Sequence, residues 1–433
     1  MINHKLNNNP KCFITIFIIG LFIITTLISV GFSALNKDIN ISGDIDYIRD
    51  GEPLYDVLKN ATEEGIYAKE YTGNHQDSMM GVGTEKIYHW WAEDDNNGTA
   101  ILDKWNVIFG EFCWQIIRTT DTGGVKLLYN GVPSDGQCNN SGSATKIGNS
   151  LFAIGGGYAP FASVGYMYNP SSLLKNNGNS AATSGSLFGK GVTYSGATYT
   201  LTNTSTTYDE NHHYTCNNAT GTCDTVRYYY YDNYYTEISD GRTIEEHVED
   251  MFSVYNVNQT NSYIKTYVDN WYQSNMTSYT NKLEDTIFCN DRSIDNLGGF
   301  NPNGGLTNGR LQFKNYGYTN SDLTCTNITD KFCVSNTKAK LTYPVGLLTF
   351  PEVYILTNNV SSSTLRNSGS DYILATPSYI RGRDVYIRFV AADGHVQGYA
   401  AEISQGVRPV ISLKFGTKYI SGSGSKSDPY IVQ

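Results

Sequence analysis

Charge is scarce in this chain: Asp, Glu, Lys and Arg together make up 17% of its 433 residues. The formal net charge is −10, and no basic run occurs beyond the N-terminus. A nucleic-acid groove therefore has no electrostatic footprint. Cysteine is never spaced as C-x-x-C or set near histidine at zinc spacing, which argues against a structural zinc knuckle. The acidic stretch Glu93–Asn97 lacks the glycine and terminal glutamate of a calcium loop and reads as solvated turn. Serine, cysteine and histidine form no recognisable nucleophile–base motif, and His247 has no partner at metal spacing. No metal and no cofactor is therefore expected.

What the chain does have is tyrosine, 34 residues against 17 phenylalanines, together with abundant Asn, Gly and Thr. That composition suits an exported β-containing protein. The one long apolar run is Cys12–Ala34, CFITIFIIGLFIITTLISVGFSA, with His4, Lys5 and Lys11 before it and no further cation until Lys37. Its length matches the ~20 residues that span a bilayer. The flanking charge places the N-terminus in the cytoplasm and the remainder outside. We read it as an anchor in the cytoplasmic membrane, with signal cleavage after Ser33 as the alternative. The expected address is the outer face of that membrane, or the medium if the signal is cleaved. Exported cysteines form disulfides. Cys216 with Cys223 is the best local pair, flanking a turn; Cys113 with Cys138, and Cys289 with Cys325 or Cys333, are further candidates. Apart from Cys12, the cysteines are odd in number, so one stays free or pairs elsewhere.

Along the chain, Leu54, Val57, Leu58 and Ala61 repeat at helical spacing behind Pro53, and Gly65 suits the stop. Trp105–Gly131 reads as strand, strand, turn at Asp121–Gly124, strand. From Gly178 to Asn258 the composition turns to Ser, Thr, Asn and Tyr, including RYYYYDNYY at Arg227–Tyr235 and a capping box at Thr243 and Glu246. Ile264, Tyr267, Val268 and Trp271 stripe a second helix, and Gly298–Gly317 reads as a loop. Near the end, Tyr372–Lys414 holds the best β-composition. Val385, Ile387 and Phe389 alternate against Tyr386 and Arg388, the period of a half-buried strand. Gly406 reads as a turn, Pro409 as a strand start, and the lone Arg408 as a structural fork held by carbonyls or a carboxylate. The tail KYISGSGSKSDPYIV reads as a closing hairpin.

Several of these stretches carry a family resemblance: KLEDTIFCNDRS at Lys282–Ser293, VGYMYNPSS at Val164–Ser172, LTYPVGLLTFPEV, and the Tyr372–Lys414 segment. They resemble a domain of unknown function found on secreted proteins of gut Gram-positive bacteria. That domain is similar to the formylglycine-generating-enzyme branch of the C-type-lectin-like fold. One departure is that Ile373, Leu374 and Thr376-Pro377 stand where the family has Trp, Thr and Ser-Pro. The resemblance implies an α+β, C-type-lectin-like ectodomain behind one N-terminal transmembrane helix.

The expected layout is a cytoplasmic N-terminus (1–11), an anchor (12–34) and a membrane-proximal segment (35–84). Two halves of the body follow (85–177 and 259–415), separated by an insertion (178–258), and a hairpin closes the chain (416–433). The related oxidases use a late pair of reactive cysteines, and here no cysteine follows Cys333. Catalysis of that class is therefore not expected. The same fold also serves as a scaffold for exposed, sometimes hypervariable, binding surfaces. On that reading Tyr379, Arg381, Arg383, Tyr386, Arg388, His395, Gln397 and Tyr399 are the candidate ligand contacts, because Tyr and Arg dominate binding hot spots. The expected function is non-catalytic recognition or adhesion toward an unknown protein or glycan. A structural envelope component is the alternative.

Overall fold

The computed structural model describes residues 51–63, 68–90, 104–153, 162–168, 256–296, 310–317, 322–355, 366–381 and 384–433, plus backbone strands at 192–194, 197–201, 216–217 and 222–223. The apolar run 12–34, the acidic stretch at Glu93, the tyrosine run at Tyr228, the helix expected after Thr243, and Arg383 lie outside these residues. Among the described residues no helix is long and apolar enough to cross a membrane.

Helix α1 (Leu54–Glu63) buries Leu54, Tyr55, Leu58 and Ala61 on one face, as the spacing requires. It packs beside strands β1 (Ala68–Tyr71) and β2 (Ile87–Trp90), which pair antiparallel. β2 meets β4 (Phe112–Thr119) at His89 and Arg118. β3 (Asn106–Phe109) and β5 (Val125–Tyr129) flank β4 as antiparallel neighbours. The β4–β5 turn is the expected one, and Gly123 supplies its left-handed φ of 85°. The described residues of the 51–84 stretch are thus packed on the body. Their apolar face belongs to the same core as β4 and β5.

Helix α2 (Tyr263–Asn275) starts at Ser262, whose side chain accepts from the Lys265 amide. Ile264, Val268 and Tyr272 are buried. Tyr267 and Trp271 are only half-buried, and Trp271 lies against Trp114 and Tyr129. The short strands Met167–Tyr168 and Thr260–Asn261 pair antiparallel, which joins the chain before and after the Ser/Thr/Tyr-rich segment.

A second sheet is formed by β6 (Ile294–Asn296), β7 (Leu311–Phe313), β8 (Tyr372–Arg381), β9 (Asp384–Val390) and β10 (Val396–Ala400), antiparallel throughout. The short helix α3 (Phe350–Ile355) precedes β8. The loop expected over Gly298–Gly317 is corrected here, because Leu311 and Phe313 are buried in a strand. The chain then returns to the first sheet. β11 (Val410–Leu413) pairs with β5, and β12 (Tyr430–Ile431) runs parallel to β3. The tail is therefore a sheet strand as well as the closing hairpin expected, since Ser421 also bridges Ile431. One continuous apolar core joins both sheets, from Trp114 and Leu127 to Leu374 and Ile387.

Gly406 is not a turn. It lies in the strand Gln405–Val407, paired with Gly148–Ser150. A Cβ there would sit 2.0 Å from the Asp371 carbonyl oxygen, so close backbone approach is what requires glycine. Pro409 does precede a strand, β11. Arg408 is a fork as expected: it is buried, and Nε donates to the Tyr129 carbonyl at 2.9 Å and Nη2 to Asn130 Oδ1 at 3.0 Å.

Among the described residues two disulfides form, Cys113–Cys138 and Cys289–Cys325, and Cys333 is a buried free thiol. Cys216 and Cys223 are Cα partners on an antiparallel strand pair, the backbone arrangement expected of them. Disulfides mark an oxidising compartment.

Candidate functional site

Two places concentrate chemistry-bearing side chains. The first is interior. Arg118 on β4 forks onto Asp77 with Nη1···Oδ2 2.8 Å and Nη2···Oδ1 2.6 Å, and it reaches Glu352 Oε1 at 3.0 Å. Lys126 on β5 donates to the same Oε1 at 2.9 Å. All four side chains are 2–3% exposed. Burial disfavours the Glu352 charge, yet Lys126 and Arg118 outweigh it and pull the carboxyl down to about 2. The Asp77 carboxyl is likewise lowered against burial by Arg118.

The cavity beside these groups measures about 20 Å³, lined also by Asn315, Asp322 and Thr324. A space of that size holds about one water molecule and excludes a sugar ring or peptide. Among the described residues no group of three His, Cys, Asp or Glu could hold a metal. Each charge in the quartet is committed to another, so the arrangement is a structural clamp. Asp77 ties the loop after β1 to β4, and Glu352 ties α3 to β4 and β5.

A second buried pair has the same character. Arg292 Nε lies 2.6 Å from Asp330 Oδ1, with neither side chain exposed. Its other nitrogens donate to the carbonyls of Met167 and Thr329 and to Asn258. Asp291 accepts from the Ser293 amide at 3.1 Å. Arg292 thus pins distant segments together, while Asp291 closes a local turn.

The second place is the outer sheet, where the candidate ligand contacts were expected. Cross-strand partners share a face, and the register divides the set. Tyr386 opposes Ala400 and Arg388 opposes Gly398 on one face; Ile387 opposes Tyr399 and Phe389 opposes Gln397 on the other. Gln397 and Tyr399 are exposed on the edge strand, with Tyr399 against Phe389 at 5.1 Å. They do not share a surface with Tyr386. His395 lies in the exposed β9–β10 turn, 3.1 Å from Asp393.

Arg388 corrects a further expectation. It is 5% exposed, its guanidinium lies 4.7 Å over Phe350 and 5.5 Å from Tyr316, and it donates to the Tyr316 carbonyl. It is a packing residue and is withdrawn as a ligand contact. The alternation read from sequence is real, but both faces of β9 are covered at this level.

Tyr379, Arg381 and Tyr386 are brought together. Tyr379 and Tyr386 are register partners whose rings stack at 4.2 Å with 16° between planes. Arg381 donates to the Tyr386 hydroxyl at 3.3 Å. Two residues missed in the sequence complete the group. Arg310 lies 4.8 Å over the Tyr379 ring and donates to the Tyr316 hydroxyl at 3.0 Å; Tyr316 meets Tyr379 edge-on at 5.7 Å. The missed signal was the apolar alternation Leu311, Phe313, which marks a strand with Arg310 at its start.

All five side chains are half-buried. Among the described residues no carboxylate forms an ion pair with Arg310 or Arg381, although Asp384 is the main-chain partner of Arg381. Burial raises the Tyr379 phenol, with the Tyr386 neighbour adding to it, so its proton is retained. The cluster can thus offer guanidinium and phenol donors at one place. No protein-family model, no curated protein and no solved structure matches the chain.

Proposed function

We propose that this is a non-catalytic surface protein, held at the cell membrane by residues 12–34, whose lectin-like body recognises a ligand through Arg310, Tyr316, Tyr379, Arg381 and Tyr386. The observation that carries the reading is the contrast between the two charged places. In the interior quartet and in the Arg292–Asp330 pair, each cation has an anionic partner. On the outer sheet, two guanidinium groups are held by tyrosines and meet no carboxylate among the described residues. Tyrosine and arginine fixed by one another are the residue types that anchor interfaces at low entropic cost. The disulfides fit an exported protein.

The test is adherence of beads bearing the full-length protein to cultured epithelial cells and to immobilised mucin. Binding by the wild type that is lost in Tyr379→Ala/Tyr386→Ala, with melting temperature kept within a few degrees, supports the reading. Binding that survives this pair moves recognition elsewhere. No binding to either surface favours the structural alternative.

A further inference from the structure

Resting on that recognition reading, we infer that the Arg310–Tyr316–Tyr379–Arg381–Tyr386 cluster takes an acidic saccharide, a sugar bearing an isolated carboxylate among neutral hydroxyls. The cation count comes first. Arg310 and Arg381 frame the stacked tyrosine pair, and among the described residues each has one hydrogen bond, to a phenol oxygen. A guanidinium carries five N–H donors, so most remain available, and their fork matches a planar carboxylate.

The phenols come next. Tyr316 and Tyr386 each accept from an arginine, which leaves their own O–H uncommitted among the described residues. Tyr379 keeps its proton because burial raises its phenol. Groups that both donate and accept suit hydroxyls of a sugar. The rings themselves are engaged with each other and with Arg310, so recognition runs through polar edges rather than stacking.

The chain's overall balance narrows the choice further. A protein of net charge −10 repels a polyanion over most of its surface. One locally cationic cluster on such a background selects a ligand whose charge is single and local. An acidic sugar meets that condition, and a run of acidic side chains on a peptide does not.

The experiment applies purified full-length protein to immobilised 3′-sialyllactose, glucuronate-bearing oligosaccharides, lactose, sulfated lactose and a hexaglutamate peptide. Carboxylated glycans should bind at least about tenfold more tightly than lactose, the worth of a charge-assisted hydrogen bond. Arg310→Gln/Arg381→Gln should erase that difference at an unchanged melting temperature. Arg310→Lys/Arg381→Lys should fall between, because charge is kept and the fork is lost. Equal binding of lactose, preference for hexaglutamate or the sulfated sugar, no capture of any carboxylated glycan, or indifference to the glutamine pair would each overturn the inference. The adherence assay separates the two failures. If Tyr379→Ala/Tyr386→Ala abolishes adherence while acidic glycans are ignored, recognition stands and the ligand class falls. If adherence is unaffected, the site itself falls.

Discussion

Replacing Glu352 with Gln tests whether the interior charge quartet is a clamp. The substitution is nearly isosteric and keeps the α3 backbone, but it removes the anion shared by Arg118 and Lys126. Arg118 retains its two-bond fork onto Asp77. Lys126 is left with neutral acceptors alone, the Ile287 carbonyl at 3.3 Å and the glutamine amide oxygen, beside the Phe288 ring at 5.1 Å, while 2% exposed. Stranding one member of a buried pair costs about 3–5 kcal/mol. Linkage gives an independent figure: Glu352 is held at about 2 against an ordinary 4.5, which corresponds to roughly 3 kcal/mol at neutral pH. Because the folded value is depressed, that stability is fully present above pH ~4.5 and is lost as pH falls towards ~2. Urea unfolding at pH 7 should show the midpoint falling at constant slope. The variant should also show a shallower loss of stability between pH 4.5 and 2 than the wild type. Adding Lys126→Met should restore part of the loss, since the stranded charge is gone. A cost below about 1 kcal/mol, or no rescue by Lys126→Met, would refute the clamp.

Ile387→Asp should unfold the body by burying an unpaired charge. Arg388→Ala should also destabilise, by about 2 kcal/mol or more through lost ring contacts and a carbonyl hydrogen bond. A thermal melt of Arg388→Ala within about 0.5 kcal/mol of wild type would return that residue to the surface. Non-reducing peptide mapping should find Cys113–Cys138 and Cys289–Cys325 linked. Cys333 should be alkylated only after unfolding, because it is buried and burial raises its thiol. Recovery of a Cys289–Cys333 peptide would contradict the pairing.

The elements that sequence identified are those whose signal is local. Helices α1 and α2 announce themselves by apolar spacing, and α1 also by Pro53. The β4–β5 hairpin is fixed by its Gly-containing turn, and Arg408 stands out as a lone charge among apolar neighbours. What sequence could not show depends on partners far along the chain. Asp77, Arg118, Lys126 and Glu352 are spread over most of the body and look like four ordinary charges until the sheet brings them together. The membrane-proximal segment read over 35–84 has its packing partners, β4 and the loop after β4, later in the chain, so its helix alone does not show where it docks.

The outer-sheet site failed in sequence for a different reason. Alternation along β9 correctly separates Ile387 from Tyr386 and Arg388, but it says nothing about what lies over the second face. Phe350 and Tyr316, from separate segments, cover Arg388 and leave Tyr386 half-buried two residues away. Register then decides the rest: Tyr399 opposes Ile387, so a tyrosine of the next strand joins the other face. A Tyr- and Arg-rich run is therefore not one surface. Here it resolves into a packing arginine, an edge tyrosine and a stacked pair, and the pair gains Arg310 and Tyr316, which flank a strand that the run does not contain. Substitutions that distinguish binding from packing must therefore be chosen by cross-strand register and not by residue type.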